Sequence, residues 1–453
     1  METGLKQRFM QAAGWMLFGH AFSQVLRLGS SLVLTRLLAP ELYGVMSVGY
    51  IVMTGLTMFS DLGLSQGAIQ SPRGEEPKFL NVSWVVQIAR SVLIAIAGLL
   101  VAAALKAAGD LGWLPTHSVY AAPMVPALVA SVSLFAIVSG FESTKMWTAR
   151  RRLSLGDITK LELVCQVATI GFQLVWAVIA PSVWTLAGGW IFGALVRTLL
   201  SHFWLKGQNN RFEWDTATFN EIFSFGKWVT LSSAFSFLLT GGDTLLLSGM
   251  LDTKLMGSYS LAVMLVGALQ GIVIRLVGTT VLPALGEVHR ERPERLRETL
   301  YRIRMPLDAV CLLAAGALMV LGEWVVHLLY DNRYAEAGWM LAAVSLTLVS
   351  IRLTVFDQCL VATGRVKQLS VLNALRLVTL YVAVPIGYHF HGAAGAVYAV
   401  AASSVVNGLA MLIAQARVGL LDAKRELLAL PLYGAGLVFG YLVLTVFQHL
   451  KAA

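Results

Sequence analysis

The stretch VVQIARSVLIAIAGLL (85–100) reads as a membrane-crossing helix except for Arg90. An arginine near the centre of a hydrocarbon-embedded helix costs roughly 2.5–3.5 kcal/mol, so its presence needs a reason. The rest of the chain is of the same kind. Its 453 residues are 57% hydrophobic and only 13% charged, where a soluble chain carries about a quarter of its residues as Asp, Glu, Lys and Arg. The bilayer is therefore the main solvent of this protein. METGLKQRF (1–9) leads into an apolar segment without a small-residue cleavage site and is expected to act as an uncleaved anchor. Cys165, Cys311 and Cys359 lie in or beside apolar segments. Their odd number and the lack of a CxxC pair speak against a disulfide framework or a zinc site.

Apolar segments of about 20 residues suffice to cross a hydrocarbon core of about 30 Å. Thirteen are expected, over 12–35, 43–68, 80–105, 120–142, 160–181, 184–205, 226–249, 257–282, 306–329, 337–361, 369–389, 393–415 and 429–448. Alternate connections between them differ sharply in basic residues. The set that includes the N-terminus holds twenty-two Lys and Arg, and the opposite set holds five: Arg36, Lys106, Lys254, Arg333 and Lys451. Such an excess predicts a cytoplasmic N-terminus, and a thirteenth helix then leaves the C-terminus outside. The net charge of +9 follows from this topology and requires no nucleic acid partner. The connections are short, so the function has to lie within the helices.

An internal repeat points to two halves. LLAPELYGVMSV (37–48) matches MLDTKLMGSYSL (250–261) at Leu38/Leu251, Leu42/Leu255, Gly44/Gly257 and Ser47/Ser260, an offset of 213 that also pairs Arg152 with Arg365. An even number of helices separates the copies, so the repeat is parallel and implies a pseudo-two-fold axis along the membrane normal. The expected fold is all-α: an N-lobe over 1–205, a cytoplasmic linker over 206–225, a C-lobe over 226–415 and an extra helix over 416–453.

Seven basic residues fall inside the spans: Arg27, Arg90, Arg197, Lys227, Arg275, Arg352 and Arg376. Lys227 lies near a span end, where it can snorkel. Facing lipid, the six arginines would together cost on the order of 15–20 kcal/mol, more than typical net folding stability. Polar neighbours at helical spacing favour an interior instead: His20, Gln24, Arg27 and Ser31 form one stripe, and Ser83, Gln87 and Arg90 another. This pattern describes a wet cavity, with interhelical hydrogen bonding as the alternative. A guanidinium is a planar fork of donors matched to phosphate oxygens. Six arginines against Asp61, Asp243, Glu323 and Asp357 leave positive charge over, which favours an anion-binding vestibule above internal salt bridges. Arg27, Arg90, Arg197, Arg275, Arg352 and Arg376, with Gln24 and Gln87, are the expected anion-binding residues. Asp61 and Asp243 are candidates for coupling to Na⁺ or a proton. His389 and His391 share a tight turn without companions and suggest no metal. The chain has no GxxxxGK[ST] motif, which speaks against ATP hydrolysis.

LTRLLAPELYGVMSVGYIV, FSDLGLSQGAIQ and LNVSWVVQIARSVLI resemble the first three helices of Wzx-type polysaccharide flippases, in the multidrug/oligosaccharidyl-lipid/polysaccharide exporter superfamily. The family pattern R-x-L-x-P-x-x-[FY]-G is carried by Arg36, Leu38, Pro40, Tyr43 and Gly44, and D-L-G-[LI] by Asp61, Leu62, Gly63 and Leu64. TARRRLSLGDITKLEL (148–163) resembles the family's basic segment before helix 5 but lacks its phenylalanine. The resemblance implies a bacterial inner-membrane protein, not an enzyme, that moves undecaprenyl-pyrophosphate-linked oligosaccharide outward by alternating access. It implies membrane lipids, a polysaccharide polymerase and export machinery as partners, and no bound cofactor. Members have twelve or fourteen helices, so thirteen is a departure. A multidrug or small-molecule exporter is the alternative within the superfamily, though an arginine-rich cavity suits cationic drugs poorly. A membrane glycosyltransferase or polymerase is the alternative of another class, and the short outer loops speak against it.

Overall fold

Proline, glycine and aspartate set the helix boundaries. Pro40 and Pro77 open their helices at the position where a missing N–H costs nothing. Asp215 and Asp252 cap two others by accepting the N–H of Thr218 at 2.9 Å and of Leu255 at 2.8 Å. The structure is a computed structural model that describes the backbone of residues 2–452 and the side chains of 14–449 other than 16, 17, 279 and 448. Lys6, Arg8 and Lys451, which entered the charge asymmetry, lie outside the described side chains.

All regular structure among the described residues is helical. The chain forms two compact units, 1–241 and 242–453. The first holds α1 (Glu2–Leu37), α2 (Pro40–Phe59), α3 (Leu64–Gln70), α4 (Pro77–Asp110), α5 (Val125–Gly140), α6 (Lys145–Arg151), α7 (Leu155–Ile179), α8 (Val183–Phe203) and α9 (Thr216–Thr240). The second holds α10 (Gly242–Met250), α11 (Thr253–Leu276), α12 (Leu282–Glu291), α13 (Leu296–Leu329), α14 (Ala337–Ser345), α15 (Thr347–Ile351), α16 (Thr354–Ala362), α17 (Val366–Arg417) and α18 (Ala423–Ala452). A π-helical turn, Val277–Val281, joins α11 to α12.

The protein is a multi-pass membrane protein. Ten helical stretches among the described residues are long and apolar enough to cross a bilayer, eleven with the α5/α6 pair, which bends by 62°. That criterion gives fewer than the thirteen spans expected from hydropathy. Part of the difference lies in α17, a 52-residue helix kinked at His391 and Gly392, where the sequence suggests two spans. The boundary between units also differs from the expected linker over 206–225. It falls after Gly241, so α9 belongs with the first unit, against which it packs through α2, α3 and α4.

Small residues let backbones approach, as expected where lipid offers no hydrophobic drive between helices. In the first unit Gly98 of α4 sits on Ser133 of α5. In the second, Gly316 of α13 abuts the Tyr433 carbonyl of α18, and Gly436 of α18 abuts the Leu313 carbonyl of α13. A Cβ at either glycine would run into backbone.

Candidate functional site: the intramembrane arginines

Arg90 answers the question raised by its own helix. It donates from Nη2 to the Thr57 carbonyl at 2.7 Å and from Nε to Ser60 Oγ at 3.2 Å. Both acceptors lie at the C-terminal end of α2, where helical carbonyls lack intrahelical partners. α2 ends there because Asp61-Leu62-Gly63 breaks the helix. Gly63 has φ +58°, and Val229 leaves no room for a Cβ. The break is also held from the other side. Asp61 Oδ1 accepts the Gly63 N–H at 2.9 Å, Oδ2 accepts Ser233 Oγ–H at 3.0 Å, and its carbonyl accepts Thr230 Oγ1–H at 2.7 Å. The D-L-G-L motif therefore ties the end of α2 to α9, Arg90 ties that end to α4, and Asp61 is occupied as a cap. Gln87 acts likewise one turn before Arg90: its Nε2 donates to the carbonyls of Gly140 at 2.8 Å and Glu142 at 3.0 Å, where α5 bends toward α6.

Three arginines expected to bind an anion are neutralised inside the fold. Arg197 Nε meets Glu142 Oε1 at 3.1 Å. Arg376 Nη2 meets both oxygens of Asp357, at 3.0 and 3.1 Å. Arg352 Nη1 meets Asp308 Oδ1 at 3.1 Å and Glu426 Oε2 at 3.4 Å. Arg352 belongs to a buried cluster that the sequence reading missed. Arg304 of α13, just outside the expected span 306–329, is 0% exposed and pairs with Asp308 at 3.0 Å and with Glu426. Tyr301 Oη donates to Glu426 Oε1 at 2.7 Å. Glu426 comes from the first turn of α18, so the cluster pins that helix to α13. The Arg304/Asp308 spacing of four was the legible signal. The comparison of six arginines with four acids failed because Glu142, Asp308 and Glu426 were not among the acids weighed.

What remains is narrower than the expected set. Arg27 of α1 is exposed, and among the described residues its guanidinium has no hydrogen-bond or ion-pair partner. Gln24 lies three residues before it on α1, half-buried. Arg275 is exposed at the end of α11, immediately before the π-helical turn, a kind of helix defect often found at functional sites. Asp243 of α10 is met by hydroxyls: Tyr259 Oη donates to its Oδ2 at 2.6 Å, and Thr244 Oγ1 lies 3.5 Å from Oδ1. No cation is paired with it among the described residues. No group of three or more His, Cys, Asp or Glu that could hold a metal occurs among the described residues.

Helices of bilayer length, broken at glycine and carrying intramembrane arginines, define a polytopic helical membrane protein. Residues 33–338 match the model of the polysaccharide biosynthesis protein family, and the chain belongs to that family. The resemblance of the opening helices to Wzx-type exporters is borne out. The chain is 22% identical over 332 residues to the lipopolysaccharide biosynthesis protein WzxC of Escherichia coli K12, covering 73% of this chain and 65% of that protein. It is also 22% identical over 326 residues to a putative O-antigen transporter of Shigella flexneri, covering 68% and 75% of the two chains. In fold it is similar to the lipid II flippase MurJ in an inward closed conformation, with TM-score 0.66, 12% identity and coverage of 95% and 92%. A multidrug resistance MATE family transporter of the MOP superfamily, inward-facing, gives TM-score 0.65, 13% identity and coverage of 88% and 94%.

Proposed function

We propose that this protein is a flippase for undecaprenyl-pyrophosphate-linked oligosaccharide repeat units, acting in the bacterial inner membrane with its N-terminus in the cytoplasm. The orientation rests on the asymmetry of Lys and Arg between alternate connections. The observation that carries the substrate class is Arg27. An exposed guanidinium inside an expected span, with no partner among the described residues, is expensive in hydrocarbon and is stabilised when a phosphate oxygen meets its donor fork. The named roles of WzxC, the O-antigen transporter and MurJ support a sugar-bearing lipid as the cargo. Arg27 is the primary pyrophosphate ligand, Arg275 the corresponding candidate in the second unit, and Gln24 a flanking donor. The site is exposed alternately to the two leaflets, and Asp243 is the candidate for coupling to Na⁺ or a proton. A polysaccharide polymerase and export machinery would take the product.

The test is export of surface polymer by a deletion strain complemented at native expression. Arg27→Ala should reduce export about tenfold or more, the loss expected from one charge-assisted hydrogen bond, and should accumulate lipid-linked repeat units. Arg27→Lys should retain part of the activity. Wild-type export by Arg27→Ala at normal protein levels would remove the pyrophosphate role. Drug resistance conferred in place of polymer export would move the protein to the multidrug branch.

A further inference from the structure

A cavity of about 780 Å³ lies at the C-terminal end of α4, walled by residues of the 111–124 connection and the start of α5. α4 has 34 residues, about 51 Å at 1.5 Å per residue, against a hydrocarbon core of about 30 Å. Trp84, toward the other end of α4, is buried in edge-on and tilted ring contacts with Phe141, His202 and Phe212. The apolar segment of this helix, 80–105, is long enough to cross the core and ends one residue before Lys106. The cavity floor, with Ala102, Ala127 and Ala130, therefore lies at acyl-chain depth. Its rim, with Lys106, Asp110, Thr116 and Tyr120, lies at headgroup level.

The rim charges are placed against the local rules of helix stability. Lys106 and Asp110 are four residues apart, with Cβ atoms about 5–6 Å from one another. Both are exposed, and neither makes an ion pair or hydrogen bond with a described side chain. Lys before Asp is the weaker order for such a pair. Asp110 is the last residue of α4, where the helix dipole disfavours an anion. One cation and one anion thus face the same cavity mouth above an apolar floor.

We propose that this cavity binds a zwitterionic phospholipid with a phosphoethanolamine headgroup. The phosphate lies on Lys106, the ammonium on Asp110, and an acyl chain on the alanine floor. An anionic lipid would meet Asp110 as a like charge, and a free glycan would fill the rim while leaving the apolar floor bare. The assignment is independent of the flippase reading.

Native mass spectrometry of the purified full-length protein, equilibrated with equimolar phosphatidylethanolamine and phosphatidylglycerol, tests it. The wild type should retain phosphatidylethanolamine in preference to phosphatidylglycerol. Asp110→Asn should abolish the preference, and Lys106→Ala should lower retention of both lipids about two- to fivefold, the range of an exposed charge contact. Unchanged elution and melting would establish that both variants fold. Equal retention of the two lipids by the wild type, or a preference that survives Asp110→Asn, would overturn the assignment. Displacement of the retained lipid by maltotriose would give the rim to a glycan and overturn it equally.

Discussion

Replacing Glu426 by Gln tests the structural role of the buried arginines Arg304 and Arg352. The substitution keeps the volume and a hydrogen-bond acceptor for Tyr301 but removes one of two negative charges from a cluster whose members are almost fully buried. Arg304 and Arg352 have side-chain exposures of 0% and 5%, and Asp308 and Glu426 of 4% and 12%. Two guanidinium groups are then left against one carboxylate. Removing one partner of a buried ion pair typically costs about 3–5 kcal/mol, because the remaining charge stays desolvated. For a unit of this size, about 2–4 °C is lost per kcal/mol, so the melting temperature should fall by about 6–20 °C. Thermal unfolding of the detergent-purified protein, followed by tryptophan fluorescence, measures this. The double variant Glu426→Gln with Arg352→Gln restores the charge balance and should recover at least part of the loss. A single variant that melts within about 2 °C of the wild type, less than one kcal/mol on that scale, would refute the role of the cluster. So would a double variant less stable than either single one.

Two further outcomes follow from the packing and the loop charges. Gly436→Val should destabilise by about 1–3 kcal/mol, because its side chain would meet backbone of α13. Gly434→Val, in the same helix with open space around it, is the matched control and should cost less in the same melting assay. The Asp215 carboxyl is held below the usual carboxylate range by hydrogen bonds from the Lys78 ammonium and from Thr218. A lowered folded-state value means that the contact contributes above the ordinary Asp value of about 3.9 and is lost as pH falls through the folded one. The difference in melting between wild type and Lys78→Ala should therefore be constant from about pH 5 to 8 and shrink below about pH 4. A difference that grows with acid would contradict the sign.

Much of the architecture was legible residue by residue. Hydropathy identified a many-helix membrane protein because partition into lipid is close to a local sum over about 20 residues, although it expected thirteen spans where ten or eleven stretches among the described residues are long and apolar enough. The D-L-G-L motif was recognisable by resemblance, and its glycine is explained by a positive φ at a helix break. The fate of the arginines was not legible. Arg197 is neutralised because the bend between α5 and α6 brings Glu142 beside it. Arg352 is neutralised because α18 docks along a glycine seam on α13 and delivers Glu426. Hydropathy placed those acids in or beside connections, and it carries no record of where a bend aims a side chain.

The amino-acid sequence by itself determined that this chain lives in a bilayer as a set of helices, which side of it is basic, and that several guanidinium groups are carried into the membrane. Only the tertiary structure decided which of those groups are spent on holding helices together and that Arg27 has none of those partners among the described residues. The physical reason is range. Insertion into lipid depends on composition along one helix, whereas an ion pair depends on two atoms from distant segments coming within about 4 Å.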